Sequence, residues 1–152
     1  MNYSGISYPD VNNGKGFRVT LFVSGCNHRC HGCQNPETWD FEYGSKFNED
    51  IKKKLFDVCS KEYINGLTLS GGDPIDNYDD VLKLVKDFRK KFGNSKDIWL
   101  YTGYLVEDLV SLGKDEILEY IDVIVDGEYD EKQRDITLDF RGSKNQRVIY
   151  LK

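Results

Sequence analysis

Absences narrow the reading before any motif does. No stretch approaches the roughly 20 apolar residues that a membrane span needs, so a soluble protein without a membrane partner is expected. An excess of basic residues is also missing: 21 Lys and Arg face 26 Asp and Glu, for a net charge of -5. That balance argues against nucleic acid as the main partner, because phosphate binding relies on clustered cations. The one dense basic run, Lys52 to Lys54, lies among Asp50 and Asp57 and reads as a solvated helix face. Met1 to Pro9 carries no basic start, apolar core or small-residue cleavage site, which suggests a cytoplasmic location. Repeats, low-complexity tracts and Pro/Gly-rich linkers are lacking, so 152 residues imply one domain spanning 1–152.

What is present is an alternation of strand and helix patterns. Phe17, Val19, Leu21 and Val23 alternate with Arg18, Thr20 and Phe22 at the strand period, and this strand runs into Ser24-Gly25-Cys26. A helix capped by Asn48 is expected to bury Ile51, Leu55, Val58 and Cys59. A short strand, Leu67 to Leu69, leads to Ser70-Gly71-Gly72. A second helix from about Tyr78 to Phe92 places Val81, Val85, Phe88 and Phe92 on one stripe and stops at Gly93-Asn94. Ile98 to Tyr101 reads as a strand, Leu105, Leu109 and Leu112 as a helical stripe, and Ile121 to Val125 as a fourth strand closed by Asp126-Gly127. Arg147 to Leu151 reads as a terminal strand, while Glu128 to Gln146 is polar and gives no clear pattern. Such alternation predicts an α/β fold with a mostly parallel sheet and the site at the strands' carboxyl ends. A full eight-unit barrel takes about 250 residues, so an incomplete (β/α) barrel is expected.

Three of the four cysteines, Cys26, Cys30 and Cys33, fall within eight residues as C-x3-C-x2-C on the loop after the first strong strand. Metal binding is the better reading than disulfides in a chain without an export signal. A cubane iron-sulfur cluster held by three thiolates leaves one iron without a protein ligand. The competing reading is a zinc-stabilised Cys3His binding module, with His28 or His31 as fourth ligand. Both histidines read more simply as local hydrogen-bonding or partner-facing residues. Cys59 lies on the apolar stripe of its helix and reads as a buried free thiol.

Ser70-Gly71-Gly72-Asp73-Pro74 stands at the carboxyl end of the next strand. Two glycines let a ligand approach the backbone without meeting a Cβ and leave carbonyls and amides to bind it. Asp73 adds an anion suited to an ammonium. Alone the sequence is an ordinary turn; its place beside the cysteine loop makes it a site.

The three-cysteine loop followed one strand later by Gly-Gly-acid-Pro resembles the radical S-adenosylmethionine (SAM) superfamily. Cys26-x-His28-x-Cys30-x-Gly32-Cys33-x-Asn35-x-x-Thr38-Trp39, Leu69 to Pro74, Trp99-x-x-Thr102-Gly103-Tyr104, Val125-Asp126-Gly127 and Arg141-Gly142-Ser143-x-Asn145-Gln146 narrow the resemblance to the activases of glycyl-radical ribonucleotide reductases. Gly32, where the superfamily often has an aromatic residue, and Asp73, where it more often has Glu, both agree with that branch. The resemblance implies a radical SAM type barrel of about five to six parallel strands and a [4Fe-4S] cluster on Cys26, Cys30 and Cys33. It implies SAM chelating the open iron, its ammonium received by Gly71, Gly72 and Asp73, and its adenosyl side lined by Gly32, Cys33 and Gln34. No side chain is then expected to act as a catalytic acid, base or nucleophile. The implied chemistry is reductive cleavage of SAM to a 5'-deoxyadenosyl radical. Its implied target is a glycine in the large subunit of anaerobic (class III) ribonucleoside-triphosphate reductase, with an electron donor such as flavodoxin. An activase of another glycyl-radical enzyme is disfavoured because only Cys59 lies between the cysteine loop and the Gly-Gly motif. Arg141, Lys144 and Arg147 are candidates for a carboxylate or the partner, and Asp126 is the preferred pocket acid over Asp122. Trp99, Tyr101 and Tyr104 read as core and rim packing.

Overall fold

The strand-forming run after Phe17 becomes the middle of the sheet because it has partners on both edges. The computed structural model describes every residue except His31, Gln34 and Asn35. Its strands are β1 (Asn2–Asp10), β2 (Arg18–Val23), β3 (Ser45–Lys46), β4 (Gly66–Gly71), β5 (Asp97–Tyr101), β6 (Val123–Asp126) and β7 (Arg147–Tyr150). They form one sheet in the order β3-β1-β2-β4-β5-β6-β7, with β3 and β7 as unjoined edges. Four adjacent strands, β2, β4, β5 and β6, run parallel. The expected five to six parallel strands are therefore corrected to four. A parallel return needs a crossover element, and the 128–146 segment contains only the short 3₁₀ turn Glu131–Gln133, so β7 comes back antiparallel to β6.

β1, antiparallel to both β2 and β3, has no counterpart in the sequence reading. Register shifts between Tyr3 and Gly5, and between Ser7 and Asp10, break its alternation. Tyr3 and Ile6 consequently pack on the same core although they are three residues apart, and a strict period-2 search passes over them.

The helices are α1 (Glu49–Cys59), α2 (Tyr78–Phe92) and α3 (Val106–Ser111). Asn48 caps α1 as expected, its side chain accepting from the Ile51 amide at 2.9 Å. The buried stripe of α1 is Leu55, Phe56 and Cys59, with Ile51 and Val58 only half-buried. Phe56 was not on the expected stripe; it is drawn inward by edge-on contact with Phe88 at 5.7 Å. α2 buries Val81, Leu84, Val85 and Phe88 and ends at Gly93, whose φ of 55° suits glycine. In α3 only Leu109 is buried, while Leu105 and Leu112 face solvent. A six-residue helix presents too short a face to bury three leucines, and the 3₁₀ turn Asp115–Glu119 inserts Ile117 into the core instead.

The sheet's two faces differ. One carries the register-aligned row Leu21, Leu69, Leu100, Ile124 and Ile149 and packs with the helices; each fully buried aliphatic there contributes roughly 1.5–3 kcal/mol. The other carries Arg18, Thr20, Thr68, Trp99 and Val123, and Phe140 from the 128–146 segment packs edge-on against Trp99 at 5.1 Å. Arg18 and Thr20, the polar half of the strand pattern, are thus fully buried, as in central parallel strands covered on both faces. Arg18 is satisfied by Thr68 Oγ1 at 2.7 Å, by the carbonyls of Leu67 and Lys15, and by Asp97 Oδ1 at 2.7 Å, the last an ion pair off the hydrogen-bonding axis. No helix among the described residues is long and apolar enough to cross a membrane.

Cys59 bears out its reading as a core thiol. It is fully buried, and burial pushes its pKa up to about 12. At pH 8 only about one thiol in ten thousand would be ionised. We therefore expect Cys59 in the folded, metal-free protein to resist iodoacetamide at pH 8 and to label only in urea, measured by peptide mass spectrometry. Cys59→Ser, which buries a new hydroxyl, is expected to cost about 1–3 kcal/mol in urea denaturation.

Candidate functional site

The carboxyl ends of the four parallel strands deliver four loops to one place. β2 leads into Ser24-Gly25-Cys26, β4 into Gly72-Asp73, β5 into Thr102-Gly103 and β6 into Gly127-Glu128. Together they line a cavity of about 180 Å³ that includes Cys26, Cys30 and Cys33, all half-buried, along with Gly71, Gly72 and Asp73. A second cavity of about 370 Å³ shares Cys33, Tyr101, Tyr129 and Gln146 with it and adds Arg141. Gln34 and His31 lie outside the described residues.

The cysteine loop is stitched to its neighbours through backbone. The amides of Gly72 and Asp73 donate to the carbonyls of Val23 (2.7 Å) and Gly25 (2.8 Å), and those of Gly25 and Cys26 donate to Thr38 (2.7 Å) and Trp39 (3.2 Å). A Cβ on Gly72 would stand 2.6 Å from the Gly25 carbonyl oxygen and 2.8 Å from that of Thr38. One on Gly71, whose φ is +104°, would meet Val23 backbone at 2.4 Å. The two glycines thus first serve the close approach of two backbones, and the amide of Gly72, expected to be open to a ligand, is already engaged, as is that of Asp73. Gly32 has φ +79° and faces the Glu131 side chain.

Asp73 is only 1% exposed. Its Oδ1 accepts from the Ile75 amide (2.9 Å) and Thr102 Oγ1 (2.9 Å), and its Oδ2 faces the Gly103 amide (2.9 Å) and His28 Nε2 (2.7 Å). The other ring nitrogen of His28, Nδ1, lies 2.8 Å from Glu128 Oε1. The hydrogen bond to Asp73 foremost raises the His28 pKa to about 9 against its burial, with Glu128 and Asp76 adding to the rise. His28 is then an imidazolium at neutral pH, donating from both nitrogens.

Cys26, His28, Asp73 and Asp76 approach within 4.8 Å of one another, as the ligands of a single ion would. Their polar atoms are already matched, however: Asp76 takes the Tyr104 hydroxyl (2.5 Å) and the Asn27 amide (2.8 Å). A Cys3His zinc site using His28 would have to give up one of its two charged hydrogen bonds, because one ring nitrogen must turn to the ion. Three thiols lining one cavity are a donor set suited to a thiophilic centre. Burial, its largest cause, pushes the Cys26 thiol up to about 11 and also raises that of Cys30. Metal binding there must release protons.

Several sequence candidates prove structural. Asp126, the preferred pocket acid, is fully buried and bound to Arg147 and to the Val106 amide (2.9 Å). Arg147 is thereby withdrawn from any ligand, and it also bridges to Glu107 at 2.9 Å. Asp122 is held by Arg89 and the Ile98 amide. Arg141 remains at the second cavity, where its Nη1 donates to the Gln146 carbonyl at 2.6 Å. Tyr104 is bound at the rim and Trp99 is core, as expected. Burial raises the pKa of Tyr101, and its hydroxyl has no partner among the described residues. Glu128 and Tyr129 were missed as site residues, since the polar segment that carries them has no periodicity to place it.

Residues 12–149 match the family model described as a 4Fe-4S single cluster domain. Curated relatives are similar along nearly their whole lengths and share the name anaerobic ribonucleoside-triphosphate reductase-activating protein. The relative from Enterobacteria phage T4 is 47% identical over 97% of this chain and 93% of its own. That from Vibrio cholerae is 43% identical over 96% of each. That from Escherichia coli K12 is 39% identical over 100% of each. With its thiol triad on one strand-end loop, the chain belongs to the 4Fe-4S single cluster domain family and to the anaerobic ribonucleoside-triphosphate reductase-activating proteins.

Proposed function

We propose that this protein is a radical SAM activase that generates the glycyl radical of an anaerobic ribonucleoside-triphosphate reductase, acting in the cytoplasm with an electron donor such as flavodoxin. The observation that carries the reading is the convergence of Cys26, Cys30 and Cys33 on one cavity with the Gly71–Asp73 turn, while His28 is committed to two carboxylates. In this reading Cys26, Cys30 and Cys33 hold a [4Fe-4S] cluster. When bound, the cluster supplies the electron that splits SAM into methionine and a 5'-deoxyadenosyl radical.

The chain's own residues bind and enclose. With the Gly72 and Asp73 amides engaged, the turn offers the ammonium of SAM its carbonyl oxygens. Asp73, its carboxylate filled by four protein donors, offers that ammonium no unused acceptor and acts on it as one of three carboxylates, with Asp76 and Glu128, that outnumber the His28 cation. Gly32, Cys33 and Gln34 are assigned to the adenosyl side. The second cavity, with Tyr101, Tyr129 and Arg141, extends the first away from the Gly71–Asp73 turn and gives a nucleoside or an incoming glycine segment a walled space. Exclusion of water and close placement matter because a primary carbon radical attacks any nearby C–H. A sheet whose edge strands do not join leaves a side for a macromolecular substrate, although the 128–146 segment covers part of it.

Anaerobic reconstitution followed by reduction with SAM is expected to yield methionine and 5'-deoxyadenosine, and Cys26→Ala, Cys30→Ala and Cys33→Ala should each abolish both products. A colourless protein carrying stoichiometric zinc, or unchanged product from any of the three variants, would overturn the reading. Gly72→Ala is expected to cost about 1–3 kcal/mol in urea denaturation, as an overpacking substitution, and to lower SAM cleavage, because its Cβ must push apart the loops that carry Gly25 and Thr38.

A further inference from the structure

We propose that His28 is a positioning residue, the clamp that fixes the cysteine loop against the loops following β4, β5 and β6 before any cofactor is present. The inference rests on the reading of Cys26, Cys30 and Cys33 as cluster ligands, and it assigns His28 a role in setting where they stand relative to the Gly71–Asp73 turn.

His28 sits midway between the first two cysteines, so anchoring it restrains both. Its ring reaches three loops at once. Nε2 meets Asp73 after β4 at 2.7 Å, Nδ1 meets Glu128 after β6 at 2.8 Å, and the ring packs edge-on against Tyr104 after β5 at 4.4 Å between centroids. Gly103 is shaped to this arrangement: a Cβ there would lie 2.8 Å from the imidazole.

The contacts form a closed circuit. His28 holds Asp73, Asp73 holds Thr102 and the Gly103 amide, and the Tyr104 hydroxyl holds Asp76. Asp76 in turn accepts the amide of Asn27, the residue beside His28. Such a circuit resists shear, because moving the cysteine loop in any direction breaks at least one bond to a buried or half-buried acceptor. With both ring nitrogens hydrogen-bonded to carboxylates and the ring against Tyr104, every polar atom of His28 is engaged in holding loops together. Its contribution is geometric and passes through Asp73 and the cysteines, as outer-shell partners act on metal sites.

The test compares His28→Ala, His28→Gln, which keeps one donor within reach of Asp73, and the parent protein. In the metal-free state, hydrogen–deuterium exchange should be faster at the Asn27 and Gly103 amides of His28→Ala, with β4 and β5 unchanged and His28→Gln intermediate. After reconstitution, iron and sulfide content should be retained. The SAM dissociation constant, read from the change in the reduced cluster's electron paramagnetic resonance spectrum, should rise by about tenfold or more, and His28→Gln should restore part of it. Unchanged exchange together with unchanged SAM affinity would overturn the clamp. Loss of iron in both variants without faster exchange would overturn it too, by making His28 a ligand. Because the exchange measurement needs no cluster, it fails independently of the radical SAM reading, which fails in the cysteine variants. Should His28→Ala not fold, His28→Gln carries the same measurements.

Discussion

The site depends on one buried carboxylate. Asp73 is almost wholly removed from water, and a carboxyl group in that position is tolerable only when its oxygens meet several donors. Its own turn supplies a single one, the Ile75 amide. The remaining donors come from the loops after β5 and β2, through Thr102, Gly103 and His28. The need to satisfy Asp73 therefore draws three strand ends together, and the cysteine loop is brought to its place by the same requirement.

The sheet divides the labour between its faces. Aliphatic residues in register across β2, β4, β5, β6 and β7 pack with the helices and supply the bulk of the stability. The opposite face is polar and aromatic, with Arg18 neutralised by Asp97 and lying over the Trp99 ring at 5.5 Å. A guanidinium buried there costs desolvation unless every arm is matched, and the matching carbonyls and hydroxyl come from β4 and from the loop before β2. The amino-terminal part of the sheet is thereby locked, while the carboxyl ends are left to loops whose glycines permit close backbone contact.

The sequence makes some of this legible and hides the rest for physical reasons. The bounds of α2 are readable because a long stripe and a stop glycine agree, although the buried face takes in Leu84 and leaves Phe92 half-buried. β1 is hidden by bulges, and the burial of α3 by its shortness. The cysteine loop stands out by its spacing and the Gly-Gly-Asp turn by its place one strand later, but the first reason for the glycines does not: it lies in backbone from two other segments, Val23 to Gly25 and Thr38. Glu128 lies 100 residues from His28 in the chain, beyond any local pattern. Asp126 misled because the end of a strand is where pocket acids sit; its true partner, Arg147, arrives only with the antiparallel return of β7.

The charge arrangement around the cysteines follows from these contacts. Metal-free, the Cys26 thiol is held protonated chiefly by burial, with Asp73 and Asp76 adding to the effect. A carboxylate pair beside thiols would ordinarily repel the thiolates that a metal centre requires. The His28 imidazolium between Asp73 and Glu128 offsets part of that repulsion, and the Tyr104 hydroxyl and Asn27 amide take up the oxygens of Asp76. The acids can then stand near the thiols with their oxygens already matched. A histidine between two cysteines in sequence is here a donor to two carboxylates. Ligation through Nε2 would leave Asp73 short of a donor, and ligation through Nδ1 would release Glu128.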